Sequence, residues 1–217
     1  TLFDSTFYVL SSARNVYKCL DNNGGATSTD EPTGVSTSVI TTTDSYKWKF
    51  MYTLSAAQQA NFLSTDFMAV SPNSNPGSDQ SNVMSAAVNG AIDIVKIKSA
   101  GSGGTAGTFT NIPIRGDGSG GLATVVVGGG QITSVTVTTP GTGYTFATIS
   151  NAQIVAAGAT NLAGAELDVI IPPKGGHGAN AQEELGAFFV MMNTSLEGTE
   201  SANSGDFSAV NDFRKIA

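Results

Sequence analysis

The stretch from Ser99 to Ala165 limits the fold most tightly. Its only charged residues are Arg115 and Asp117, and 13 of the chain's 26 glycines lie between Gly101 and Gly143. Short apolar runs separated by glycine clusters read as strands joined by tight turns. Ile92 to Lys98 predicts a strand. Leu122 to Val127 and Ile132 to Thr138 flank Gly128-Gly129-Gly130 and predict a hairpin. Pro140 to Tyr144 reads as a turn, and 145–149 with 152–155 as a further strand pair. Residues 89–164 are therefore expected to form a Gly-rich all-β insert. Its flat, weakly charged strands expose edges suited to pairing with other chains.

The flanking regions differ. They are expected to form one discontinuous β domain from residues 1–88 and 165–217. Phe7 to Leu10 and Val16 to Leu20 read as strands around a turn at Arg14-Asn15. The second strand stops at Asp21 to Gly25, where Asn and Gly tolerate positive φ. In Tyr46 to Leu54, Tyr46, Trp48, Phe50, Tyr52 and Leu54 share one face, with Lys47, Lys49, Met51 and Thr53 opposite. This predicts a half-buried strand. Ser55 is placed to cap a short helix through Leu63, and 66–70 reads as another strand. The Pro, Asn, Ser and Gly content of 71–85 reads as a linker. Leu167 to Ile171 is a strand ended by Pro172-Pro173, and Asn180 caps a helical turn through Leu185. The unbroken run Ala187 to Leu196 predicts a strand buried on both faces. Phe207 to Phe213 leads to a last short strand. The whole reads as mainly β with one or two short helices.

Composition narrows the partners. Hydrophobic residues make up 40% of the 217 positions, enough for a core, while charged residues reach only 12%, about half the usual ~25%. Gly, Ser, Thr, Asn and Ala fill the gap and give a neutral polar surface suited to packing against protein. The net charge of −7 comes without the clustered cations that release counterions from phosphates, so nucleic acid is not an expected partner. An anionic membrane is disfavoured on the same ground, and no apolar run approaches the ~20 residues of a membrane span. No signal peptide is evident. The start at Thr1 without Met, and the patterned run up to Ala217, read as a piece of something longer.

Groups that could carry chemistry are few. Cys19 is the only cysteine and reads as a small buried hydrophobe. His177, the only histidine, sits in Lys174-Gly175-Gly176-His177-Gly178. A metal site there would need further converging ligands, so a loop histidine fixing backbone is expected. Glu183 and Glu184 follow Asn180 and suit the first turn of a helix, where carboxylates complement the macrodipole. Gly116-Asp117-Gly118-Ser119-Gly120-Gly121 lacks the following helix and Lys of a phosphate loop and reads as a turn. Arg115-Gly116-Asp117 spells an adhesion tripeptide by coincidence. Tyr46, Trp48, Phe50 and Tyr52 offer either a core face or a sugar-stacking platform. Asn193-Thr194-Ser195 matches a glycosylation sequon in a run expected to be buried. No catalytic, cofactor-binding or metal residues are expected.

Two stretches carry a resemblance. "NVYKCLDNNGGATSTDEPTG" with "DSYKWKFMYTLS", and "PPKGGHGANAQEELGAFFVMMNTSLEG" with "GDFSAVNDFRKI", resemble the baseplate wedge subunit of T-even-like contractile-tailed bacteriophages, in its cyanophage-type form. The likeness covers roughly residues 7–70 and 165–217. The middle, with "IPIRGDGSGGLATVVV" and "PGTGYTFATI", is similar to a Gly-rich β module found in several phage tail proteins. The resemblance implies β-sandwich-like domains and a structural, non-enzymatic role without cofactors. It implies a homo-oligomer, a dimer, bound to other baseplate wedge proteins. The place would be the virion tail baseplate, assembled in the bacterial host cytoplasm. The alternative is a glycan-binding adhesin module of a phage tail or cell surface.

Overall fold

Aromatic and β-branched runs form the first sheet. In the computed structural model, which describes residues 7–193, β1 (Tyr8–Leu10) and β2 (Asn15–Asp21) form an antiparallel hairpin. Its turn is closed by Ser11 and Arg14. The strand β3 (Ile40–Thr41) and the aromatic β4 (Lys47–Thr53) complete a sheet of order β1-β2-β4-β3. The aromatic strand departs from its expected half-burial, because Phe50, Met51 and Tyr52 are all fully buried. One face packs with Tyr17, Cys19 and Val83, the other with Val16, Leu54, Ala181 and Leu185.

Helices cover this sheet. Ser55 caps α1 (Ala56–Phe62) through a reciprocal capping box with Gln58. The expected linker 71–85 instead contains α2 (Ser78–Ala86), which turns Gln80 and Val83 inward. That burial compensates for a sequence poor in strong helix formers. The expected strand at 66–70 is absent. Ser64 and Phe67 close a turn, after which Met68, Ala69 and Val70 pack on the core without a strand partner.

The second core belongs to residues 92–169. The strands β5 (Ile94–Ser102), β6 (Gly107–Pro113), β7 (Arg115–Gly116), β8 (Leu122–Gly128) and β9 (Gln131–Thr139) follow in order. The three-stranded sheet runs β6-β8-β9. The β8–β9 hairpin forms where the sequence places it. Gly129 and Gly130, at φ +59° and +82°, supply the two positive angles of a tight hairpin turn. Burial alternates strictly along β8. The expected pair 145–149 with 152–155 is replaced by β10 (Ala147–Thr148), which pairs with β7, and by α3 (Asn151–Ala156). Ser150 and Gln153 form the capping box that starts this helix, and Ile154 is its buried anchor. Next, β11 (Ala163–Ile170) pairs antiparallel with β5.

The chain is therefore mainly β and antiparallel, with four α-helices among the described residues, more than the one or two expected. None is long and apolar enough to cross a membrane. The last helix, α4 (Ala181–Glu184), is capped by Asn180 as expected. Asn89 fastens three segments at once. Its carbonyl accepts from Gly143 N–H at 2.9 Å and its side chain from Gly175 N–H at 2.8 Å.

The largest correction falls at 187–193. The run expected to be a strand buried on both faces has no strand partner among the described residues, and it is exposed. Residues 194–196 of that expected strand, and the final strand near 207–213, lie outside the described residues.

Candidate functional site

One cluster of ionisable side chains is deeply buried, and it joins residues far apart in sequence. Lys18 comes from β2, His177 from the loop after β11, and Glu184 from the end of α4. Glu184 Oε1 lies 2.5 Å from His177 Nδ1 and 3.4 Å from Lys18 Nζ, and Oε2 accepts Gly178 N–H at 2.7 Å. The Glu184 side chain is 2% exposed. An ionised carboxylate only accepts, so the imidazole donates from Nδ1. Burial pushes the Glu184 carboxyl up. The His177 hydrogen bond, the attraction of His177 and Lys18, and the Gly178 N–H outweigh it and hold the group below its ordinary value of 4.5.

The loop's backbone fits this cluster closely. Gly178 has φ +87°, and a Cβ there would overlap Val83. The glycine thus brings its N–H to the carboxylate while packing against α2. Lys18 also donates to the Glu184 carbonyl at 3.4 Å.

A carboxylate that holds one imidazole nitrogen can orient the ring for ligation or proton transfer. His177 borders two spaces: an open groove of about 720 Å³, which Lys49 and Asp93 also line, and a small cavity beside Lys18. The cavity, of about 90 Å³, is lined by Lys18, Leu20, Lys96, Ile170, Ile171, Pro173 and His177. Substrate pockets usually occupy about 300–1,000 Å³, well above the cavity. Among the described residues, no three His, Cys, Asp or Glu side chains converge as metal ligands would. The geometry supports fastening: the cluster ties the 174–185 segment to the aromatic sheet.

The other sequence candidates stay apart from this cluster. Cys19 is buried against the aromatic core, and burial pushes its thiol up to about 11. Glu183 is exposed, and its N–H donates to the Asn180 cap. Glu184, like Glu183, lies in the first turn of α4 as expected. It is also a buried ion partner, and its link to Lys18 has no local signal in the sequence. Asp117 accepts from Thr145 N–H, Phe146 N–H and the Thr145 hydroxyl. Those bonds hold its carboxyl down at about 2, a turn role matching the expectation. Tyr46, Trp48, Phe50 and Tyr52 are all buried. They form core and present no platform for a sugar. Asn193 is exposed, not buried in a strand, and donates to the Asn61 carbonyl at 3.2 Å.

The exposed surface is more distinctive than any cavity. Phe188, Phe189, Val190 and Met192 are 87%, 78%, 91% and 73% exposed. Phe67 meets Phe189 edge-on at 5.9 Å between ring centroids. Tyr8, Phe67 and residues 188–191 line one open groove, where Asp66 is the single charged residue among the described residues.

An antiparallel β protein with a structural ion cluster and a bare apolar face is the class these features define. Comparison with known proteins adds nothing closer: no protein-family model, curated protein or solved structure matches the chain.

Proposed function

We propose that the chain is a non-enzymatic structural subunit of a contractile phage tail baseplate, working by protein–protein assembly in the virion. In this reading, residues 89–164, completed by β11 through its pairing with β5, are a Gly-rich module set into a β-sandwich-like domain made from 1–88 and the chain after β11. The partners are copies of itself and other baseplate wedge proteins, with neither nucleic acid nor membrane involved.

The observation that carries the reading is the Phe188–Met192 run. Monomeric proteins seldom present contiguous apolar side chains on this scale, and such faces mark contact sites. The neutral Ser, Thr and Gly surface, with only 12% charged residues, supports the same conclusion. The wedge-subunit resemblance of residues 7–70 and 165–217 supplies the baseplate. Burial of the four aromatics removes the main support for a glycan-binding module.

The test is binding of the purified chain to the purified wedge proteins of the phage that encodes it. Stoichiometric complex formation is expected. Failure to bind any tail protein, together with saturable binding to a host polysaccharide, would overturn the reading.

A further inference from the structure

We infer that the small cavity between Lys18, Lys96 and His177 is a binding site for a carboxylate that carries a short apolar chain, a group the size of propionate. The inference goes beyond the assembly reading and does not rest on it.

Charge selects the head of the ligand. Lys18, Lys96 and His177 line the cavity, and no acidic side chain does among the described residues. The Lys18 and His177 side chains are 8% and 6% exposed, so water screens them weakly. Two carboxylates lie near these groups and leave them with spare donors. Asp21 stands 3.9 Å from Lys96 Nζ, too far for a hydrogen bond. Lys18 reaches only Glu184, through its carboxylate and its carbonyl, both at 3.4 Å, although an ammonium has three N–H donors.

His177 is the best-placed of the three. Its Nδ1 is held by Glu184, while Nε2 has no hydrogen-bond partner among the described residues. The sealed, unpartnered side-chain atoms there are Trp48 Nε1, Asn73 Oδ1 and Gln80 Oε1, so Nε2 keeps an opening onto the space it borders. A carboxylate on one ring nitrogen fixes the direction in which the other points. In the charged ring both nitrogens donate, so the imidazolium bridges Glu184 and an incoming carboxylate. The groove on the other side of His177 suits an anion less well, because Asp93 lines it and its Lys49 already donates to the Thr37 carbonyl at 2.6 Å.

Walls and size select the tail. Leu20, Ile170, Ile171 and Pro173 complete the cavity. Inorganic phosphate would set oxygens against them without partners, which is costly, whereas a methylene chain gains by leaving water. An apolar cavity of about 150 Å³ admits benzene. At about 90 Å³, this one admits a smaller body such as propionate. A glutamate side chain ends in the same group, so the carboxylate belongs either to a free short-chain acid or to a glutamate of a docked peptide.

Nitrogen NMR of the full chain reads the site directly, because His177 is the only histidine and its ring gives an unambiguous signal. Millimolar propionate is expected to shift the Nε2 resonance saturably, and inorganic phosphate at matched ionic strength is expected to leave it in place. Lys96→Met keeps the stem of a part-exposed side chain and removes its charge, so it should weaken propionate binding about tenfold. Asp93→Asn alters only the groove and should leave that affinity unchanged. The tripeptide Gly-Glu-Gly separates the two sources. A saturable shift with it as well as with propionate assigns the cavity to a glutamate side chain, and a shift with propionate alone assigns it to a free acid. Absence of a saturable shift with propionate, an equal shift with phosphate, or an affinity that responds to Asp93→Asn and not to Lys96→Met overturns the inference.

Discussion

The aromatic sheet and the Gly-rich half achieve burial by opposite routes. In the first, β2 and β4 are sandwiched, with helices and loops on both faces, and Trp48, Tyr17, Tyr52 and Phe50 fill the space. In the second, Val, Ile and Ala form the core, and β8 alternates between buried and half-buried positions. Large side chains concentrate the apolar area in a few residues, whereas small ones spread it over many. The first region should therefore depend strongly on single residues, and the second on its turns and backbone contacts.

The largest effect is expected in the aromatic sheet. Phe50→Ala should cost about 3–5 kcal/mol, read as a lowered denaturant midpoint. Ile112→Val in the Gly-rich core should cost only about 0.5–1.5 kcal/mol. Equal losses would erase the distinction between the two regions.

Glu184→Ala comes next. It strands Lys18 and His177 without their shared carboxylate, and breaking a buried pair in this way costs about 3–5 kcal/mol. The pH dependence follows from the same group. Its folded value lies below the ordinary 4.5, so the ionised cluster stabilises the fold fully above that pH. The contribution fades as pH falls through the lower folded value. Thermal melts of the wild type should drop more steeply below pH 4.5 than those of Glu184→Gln. Parallel curves would show that Glu184 does not carry the acid sensitivity.

Smaller effects test the Gly-rich half. The Tyr144 hydroxyl donates to the Ile114 carbonyl at 2.8 Å and accepts from Gly121 N–H at 3.1 Å, both in buried surroundings. Tyr144→Phe leaves those two backbone groups unpaired and should cost about 1–3 kcal/mol in chemical denaturation. Ser150→Ala removes the cap of α3 and should cost about 1 kcal/mol, with the loss localised by hydrogen exchange to 151–156. A larger loss at Ser150 than at Tyr144 would reverse this order.

How much of this the sequence reveals depends on whether the signal is local. The β8–β9 hairpin is legible because Gly129-Gly130 fixes the turn and the flanking runs are long. The α1 cap at Ser55 and the α4 cap at Asn180 are legible for the same reason. By contrast, α2 is hidden in Ser, Asp and Asn, and only its packing through Gln80 and Val83 stabilises it. Ile154-Val155 looks like a strand until the Ser150–Gln153 box is weighed against it. Alternation along β4 correctly groups Tyr46, Trp48 and Phe50, but Tyr52 and Leu54, expected on that face, pack instead with Met51, Ala181 and Leu185. The Glu184 cluster joins Lys18 to a residue 166 positions away, beyond any spacing rule. The run at 187–192 is the most instructive case. Unbroken hydrophobicity means that a segment leaves water, and it does not say whether the covering surface is its own chain or a partner.

The proposal that this chain joins a tail baseplate is tested most directly by complementation. Host cells infected with phage lacking this gene product should accumulate incomplete baseplates, and adding the purified protein to the extract should restore intact tails visible by electron microscopy. Complete, infectious tails assembled in its absence would contradict the account.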